Sequence, residues 1–465
     1  MTAIALRKHE TLAQPWVAEA MRQVPRYTSY PTAHCLTTGL TPEEYASWLS
    51  ELDGPTALYV HFPFCTERCT YCACNVIATR HHDAAEGYLT LLEREALAVS
   101  SKLSESVRIT RMHWGGGTPT YYTPKELQRA MRSIRGCFEF AADAEISVEA
   151  DPRVTTYEHL QVLRRMGFNR LSIGVQDFAP AVQAAIGRLQ SAETTRRVIR
   201  NARSLGFESI NIDLVYGLPL QTKTRVTRTI KAVIEMRPDR IAIYGYAHVP
   251  QRVPHQRKID STTVPDVPLR WKLEHTARRL LVEAGYVEVG LDHFALPSDD
   301  LAGAARNRTV HRDFMGYTTE RSPNLIGLGV SSISELPKGL AQNVKKLSAY
   351  EAALDRGQLP VEKGCPTDAD DAVRGELIQR LMCDLEARFA EIERTHGIRF
   401  HEYFEAELRE LRSPGGLISL GIVRETAVGL FVESAARSLV RNVCHLFDRR
   451  AHAPDGASKG MSSAV

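Results

Sequence analysis

Leu58-Tyr59-Val60-His61-Phe62-Pro63-Phe64-Cys65-Thr66-Glu67-Arg68-Cys69-Thr70-Tyr71-Cys72-Ala73-Cys74 decides how this chain is read. Its first four residues are a short β-branched and apolar run of the kind that forms a buried strand. The rest is a loop with four cysteines spaced C-x3-C-x2-C-x-C. Thiolates are soft ligands that select zinc, copper(I) or iron–sulfur clusters. Zinc usually draws its ligands as pairs from separated segments, and no second pair follows. A four-iron cubane takes four thiolates as a rule, so three on one loop would leave an iron open to another ligand. A group of free or redox-sensing thiols is the bland alternative. The other five cysteines, Cys35, Cys137, Cys365, Cys383 and Cys444, are scattered and read as small buried hydrophobes.

Working outward, similar runs recur at Ile109–Trp114, Ile146–Ala150, Arg170–Val175, Ile210–Val215 and Ile241–Tyr246. They read as near-continuous apolar strands covered on both faces. Helical patterns lie between them. Tyr88, Leu91, Leu92 and Ala96 share one helix face, and Thr41-Pro42-Glu43-Glu44 and Thr123-Pro124-Lys125-Glu126 each carry a capping-box start. Strands alternating with helices predict an α/β protein with a parallel sheet, and six such units fit a partial or complete barrel. In barrels the chemistry sits at the C-terminal strand ends, where the cysteine loop falls. From about Cys365 the pattern becomes mostly helical, with a small hairpin expected at Leu417–Leu420 and Gly429–Val432 and a helix through Phe447. The expected divisions are an N-terminal extension (1–50), the barrel and its extension (51–360), a helical, winged-helix-like domain (361–450) and a disordered tail (451–465).

The chain has 465 residues, 43% hydrophobic and 24% charged, enough for a large core and against a fibrous or disordered class. A net charge of +3 gives no reason to expect nucleic acid or an acidic membrane as partner. No apolar run approaches the ~20 residues of a membrane span. Met1 to Pro15 lacks the apolar core of a secretion signal, so a cytoplasmic protein is expected.

The three-cysteine loop with Tyr71 before its last cysteine resembles the radical S-adenosylmethionine signature. Further stretches narrow the resemblance: Pro25-Arg26-Tyr27-Thr28-Ser29-Tyr30-Pro31-Thr32, Cys72-Ala73-Cys74-Asn75, His113-Trp114-Gly115-Gly116-Gly117-Thr118-Pro119-Thr120 and Asn211-Ile212-Asp213-Leu214-Val215-Tyr216-Gly217-Leu218-Pro219. Together they resemble the oxygen-independent coproporphyrinogen III oxidases (coproporphyrinogen dehydrogenases) from about residue 24 to about residue 450. The resemblance implies a partial (β/α)6 barrel of radical-SAM type with an N-terminal extension and a mostly helical C-terminal domain. It implies a 4Fe-4S cluster on Cys65, Cys69 and Cys72, with Cys74 outside the ligand set, and two molecules of S-adenosylmethionine. Tyr59, Gly116, Glu149 and Ile333 would serve the cluster-bound one. Tyr71, Gly117, Thr118, Gln176, Arg188, Asp213 and Ala247 would serve the second. Glu149, Phe314 and Cys74 are the expected catalytic group.

The activity implied is decarboxylation of the ring A and B propionates of coproporphyrinogen III to vinyl groups, giving protoporphyrinogen IX in heme biosynthesis. A 5′-deoxyadenosyl radical would break the unactivated C–H bond, since no side chain is basic enough for that step. A monomer served by a flavodoxin or ferredoxin electron donor is expected. A heme-handling paralogue, another radical enzyme or a cluster-based redox sensor are the alternatives on the same scaffold.

Read from the residues alone, Gly115–Thr118 after a strand suits close backbone approach to a ligand. Glu149 ends an apolar strand, where a carboxylate needs a partner. Arg188 reads as the start of a helix. Asp292–Ala295 and His311–Thr319 read as loops suited to lining a tetrapyrrole pocket. The family more usually has Asn-Phe-Gln where this chain has Asp313-Phe314-Met315, which removes an amide near the second cofactor.

Overall fold

The computed structural model describes residues 10–319, 322–452 and 463–465. Its centre is a set of parallel strands: β1 (Pro55–Phe62), β2 (Arg108–Gly116), β3 (Phe140–Ala150), β4 (Arg170–Gln176), β5 (Ser209–Tyr216) and β6 (Arg240–Gly245). Each pairs in parallel with the next. The helices α1 (Asp83–Ser100), α2 (Pro124–Cys137), α3 (Tyr157–Arg165), α4 (Ala192–Ser204), α5 (Lys223–Met236) and α6 (Val267–Glu283) follow the strands in turn. All six expected strands form, and the α/β fold class with a partial barrel stands. A seventh parallel strand, β7 (Asn324–Leu328), joins on the free side of β1. An antiparallel meander of Ile333–Leu336, Gly339–Asn343 and Val361–Pro366 continues that edge, capped by Thr37–Thr38.

The strands are not apolar on both faces, as the sequence suggested. Ile146, Val148, Leu171, Ile173, Ile210 and Ile212 are buried in the outer core under the helices. Ser147, Glu149, Ser172, Asn211 and Asp213 alternate with them and line an inner cavity. Period-two alternation with a polar inner face is what a barrel with a working lumen requires. The predicted helix faces hold: Tyr88, Leu91, Leu92 and Ala96 are buried on α1. Both capping boxes form, at Thr41 with Glu44 and at Thr123 with Glu126.

Three local expectations are corrected. His293–Ala295 is a strand, antiparallel to β6, and His311–Asp313 with Gly316–Thr318 is a hairpin, so neither stretch is a loop. Three-residue strands paired to distant partners leave no periodicity to read. Leu417–Leu420 is a turn. The Leu417 carbonyl accepts from Ile422 and Val423, and the hairpin strand is Val423–Glu425 opposite Gly429–Val432, with Glu386–Arg388 on its far side. Arg188 does not start a helix; it follows Gly187, the left-handed cap that ends Pro180–Ile186.

The apolar core runs without a break from the barrel into the C-terminal helices, taking in Leu377, Phe404 and Val440. The N-terminal extension straps onto this region: Tyr27 donates to Asp448 at 3.0 Å and Trp16 donates to the Leu420 carbonyl at 2.7 Å. Of the expected disordered tail, 453–462 lie outside the described residues. Its last three residues pack: Ser463 bridges Gln23, and Ala464 and Val465 are buried.

Candidate active site

Where β1 ends, Phe64-Cys65 forms a short parallel pair with Ile77-Ala78, which closes the cysteine loop on itself. Phe64 anchors its root against Tyr88, Tyr121 and Tyr122. Thr79 donates to the Cys65 carbonyl at 3.0 Å, and Thr70 donates to the Ile186 carbonyl at 3.0 Å. All four cysteines are free thiols. Among the described residues no three His, Cys, Asp or Glu side chains converge on one metal ion. Arg188 places a guanidinium nitrogen 3.8 Å from the Cys69 sulfur, and the Thr118 hydroxyl lies 3.1 Å from the Cys65 sulfur. The donor set and its positive neighbour fit an iron–sulfur cluster.

β2 brings its glycines against this loop. Gly116 has φ +111°, and a Cβ there would fall 2.5 Å from the His61 ring; one on Gly117 would fall 2.7 Å from the Pro63 carbonyl. The close approach is thus to the chain's own loop. The N–H groups of Gly117 and Thr118 are used there too, donating to the carbonyls of Phe62 and Phe64.

Glu149, at the end of β3, accepts from the Gly116 N–H at 3.1 Å and lies 3.4 Å from His113 Nε2. Burial opposes its ionisation, but His113 and the Gly116 N–H outweigh that and hold the carboxyl below its ordinary range. His61 Nε2 faces the Asn75 carbonyl at 3.0 Å, which can only accept, so Nδ1 is left to accept from the Tyr59 hydroxyl at 3.0 Å. The Tyr59 ring stacks on His113. Asp213 on β5 accepts from Ser172 and Asn211. Burial and the Glu149 charge raise its pKa.

The structure brings several predicted residues together. Gln176 and Arg188 flank Gly174. Tyr71 and Ala247 are tied by one amide, since Gln256 Nε2 donates to both carbonyls at 3.0 Å. Phe314 and Ile333 pack in one apolar cluster with Leu36 and Leu340, and Met315 lines the lumen with Asp213. Arg188 is committed within the protein: it donates to Asp151 at 3.0 Å and to the Gly174 carbonyl at 2.7 Å. Sequence reasoning missed Gln256 and His255, whose Nε2 lies 2.6 Å from the Cys72 carbonyl. They sit in a 3-10 turn far along the chain and carry no motif. It also missed His113, for which a polar residue on the inner face of β2 was the available signal.

The radical SAM superfamily model matches residues 59–233, from β1 into α5. The chain is 40% identical over 443 residues to the oxygen-independent coproporphyrinogen III oxidase of Pseudomonas aeruginosa, covering 93% of this chain and 96% of that one. It belongs to the oxygen-independent coproporphyrinogen III oxidase family. The Escherichia coli oxidase is also 40% identical, over 91% of this chain and 92% of its own length. The solved structure of the coproporphyrinogen III oxidase of Escherichia coli, a radical SAM enzyme, superposes with a TM-score of 0.87 at 38% identity, covering 92% of this chain and 99% of that one. Membership makes a 4Fe-4S cluster and S-adenosylmethionine the cofactors of this oxidase. Among its described residues no helix is long and apolar enough to cross a membrane.

Proposed function

We propose that the chain catalyses the oxygen-independent oxidation of coproporphyrinogen III to protoporphyrinogen IX in heme biosynthesis, converting the propionates of rings A and B to vinyl groups. The observation that carries this reading is the near full-length identity of 40% to named oxidases, with a cysteine loop following β1 of a barrel whose lumen is polar. Each conversion takes one hydrogen atom and one electron from a propionate and releases carbon dioxide.

When bound, the cluster and S-adenosylmethionine supply the hydrogen-abstracting radical. The chain's own residues hold and enclose. Cys65, Cys69 and Cys72 are the ligands in this reading, and Cys74 stays free beside them. Tyr59, Gly116, Glu149 and Ile333 place the first S-adenosylmethionine. Glu149, kept ionised by His113 and Gly116, suits the ammonium of its methionyl end. Tyr71, Gly117, Thr118, Gln176, Arg188, Asp213 and Ala247 border the second. Arg188 acts there by fixing Asp151 and the Cys69 turn. Phe314, at the tip of the hairpin, helps close the site against water. The reading includes a cytoplasmic monomer drawing electrons from a flavodoxin or ferredoxin.

Anaerobic incubation of the reconstituted full chain with coproporphyrinogen III, S-adenosylmethionine and a reductant tests this. Formation of protoporphyrinogen IX with two carbon dioxides is the expected result. Cleavage of S-adenosylmethionine with no loss of carboxylates overturns it.

A further inference from the structure

Beside the lumen lies a second cavity. Tyr244 lines both, so the two adjoin. Five arginines line the second cavity from four elements: Arg26 from the N-terminal segment, Arg270 and Arg278 from α6, Arg312 from the hairpin and Arg441 from the C-terminal helix; Arg278 is paired with Glu288.

Two of them are placed as a pair. Arg26 donates to the Gly245 carbonyl at 2.9 Å, and Arg270 donates to the next carbonyl, that of Tyr246, at 2.9 Å. Consecutive carbonyls at the end of β6 thus fix both guanidiniums. Among the described residues neither makes an ion pair with a carboxylate. Arg270 is only 8% exposed, and its buried Nε has no hydrogen-bond partner. Arg26 is exposed where it meets the cavity. The acids in the walls are taken: Asp292 by His293 and Arg312, Glu274 by His275 and Ser438. Burial, with the charge of Arg26 beside it, lowers the pKa of Arg270.

A cation taken from water without a counter-ion is costly. Here the buried Arg270 is so placed, beside the exposed Arg26, and the hydrogen bonds of both go only to neutral carbonyls. A planar guanidinium fork matches a planar carboxylate, and two forks from separate elements can grip one from both sides.

We propose that Arg26 and Arg270 form a carboxylate subsite that holds a propionate of the macrocycle other than the reacting one, whose own arm enters the lumen past Tyr244. The assignment rests on the function proposed above. It gives the Pro25–Thr32 stretch a task, since the strap would deliver Arg26 only when docked. Arg441 supports that docking by donating to the carbonyls of Ser463 and Ala464, which cover the cavity. The carboxylate of S-adenosylmethionine is the other possible source of the same chemistry.

The test uses the full chain with its cluster, titrated anaerobically with coproporphyrin III, the unreactive oxidised macrocycle, and with its tetramethyl ester, following porphyrin fluorescence. The wild type should bind the free acid more tightly than the ester. Arg26→Gln and Arg270→Gln should each weaken the acid roughly tenfold or more and leave the ester unchanged, with Arg26→Lys recovering part of the loss. Iron content and labelled S-adenosylmethionine binding report folding, and Arg26→Gln on the exposed strap carries the test where Arg270→Gln fails to fold. Unchanged acid affinity in Arg26→Gln overturns the subsite and leaves the function standing. A loss confined to S-adenosylmethionine binding assigns the arginines to the cofactor and overturns it as well. A wild type that binds neither porphyrin overturns both the subsite and the proposed substrate.

Discussion

Arg188 and Asp151 face each other at 3.0 Å with both side chains 8% exposed, joining the turn after the helix Pro180–Ile186 to the end of β3 beneath the cysteine loop. Asp151 also takes three hydrogen bonds from the side chain of Arg153. The relationship is therefore unequal. Removing Arg188 leaves Asp151 paired, whereas removing the charge of Asp151 strands a buried guanidinium.

That asymmetry is measurable. Asp151→Asn should cost about 3–5 kcal/mol, the range for breaking a buried pair from one side, and Arg188→Met clearly less. Thermal melting of the anaerobic variants checks the order, and equal losses would refute it.

The cysteine loop makes a second prediction. Serine at Cys65, Cys69 or Cys72 should abolish bound iron and the visible cluster absorbance, while Cys74→Ser retains iron and loses turnover. Cys365, Cys383 and Cys444 lie buried in the core, away from the loop, and alanine there should keep the iron. Iron analysis with absorption spectra decides it. A full complement in Cys72→Ser would refute the ligand assignment.

Met315 makes the third. Its thioether lines the lumen beside Asp213, where a glutamine is usual in the family. One neutral hydrogen bond is worth about 0.5–1.5 kcal/mol, so the second S-adenosylmethionine should bind two- to tenfold more tightly in Met315→Gln. The first should not change. Equilibrium dialysis with labelled cofactor tests this, and a stoichiometry of one in both proteins would count against a second site.

Stability against acid gives the fourth. Glu288 is buried between Arg278 and Arg437; burial opposes its ionisation, but the two guanidiniums win and hold its pKa down at about 2. A carboxylate depressed in the folded state stabilises fully above its unfolded pKa near 4.5 and loses that contribution as pH falls toward 2. The difference in unfolding free energy between wild type and Glu288→Gln should be about 3 kcal/mol at neutral pH and shrink through this window. Parallel curves from pH 6 to 2.5 would be the contrary result.

Sequence by itself determined the strands, the two capping boxes and the thiol loop. Each of these is written in neighbouring residues: β-branched runs, a threonine three places before a glutamate, four cysteines within ten positions. It did not decide which strand residues face inward. Ser147, Glu149 and Asp213 read as breaks in apolar runs until the barrel curved and turned them to one lumen. Nor could it join Gln256 to Tyr71, or set Arg26 beside Arg270, because those partners are separated by 185 and 244 positions. Such contacts depend on where β6, α6 and the N-terminal strap come to rest. Local propensity acts along the chain, whereas a site built of hydrogen bonds and charges acts across it, and only the packed fold sets those distances.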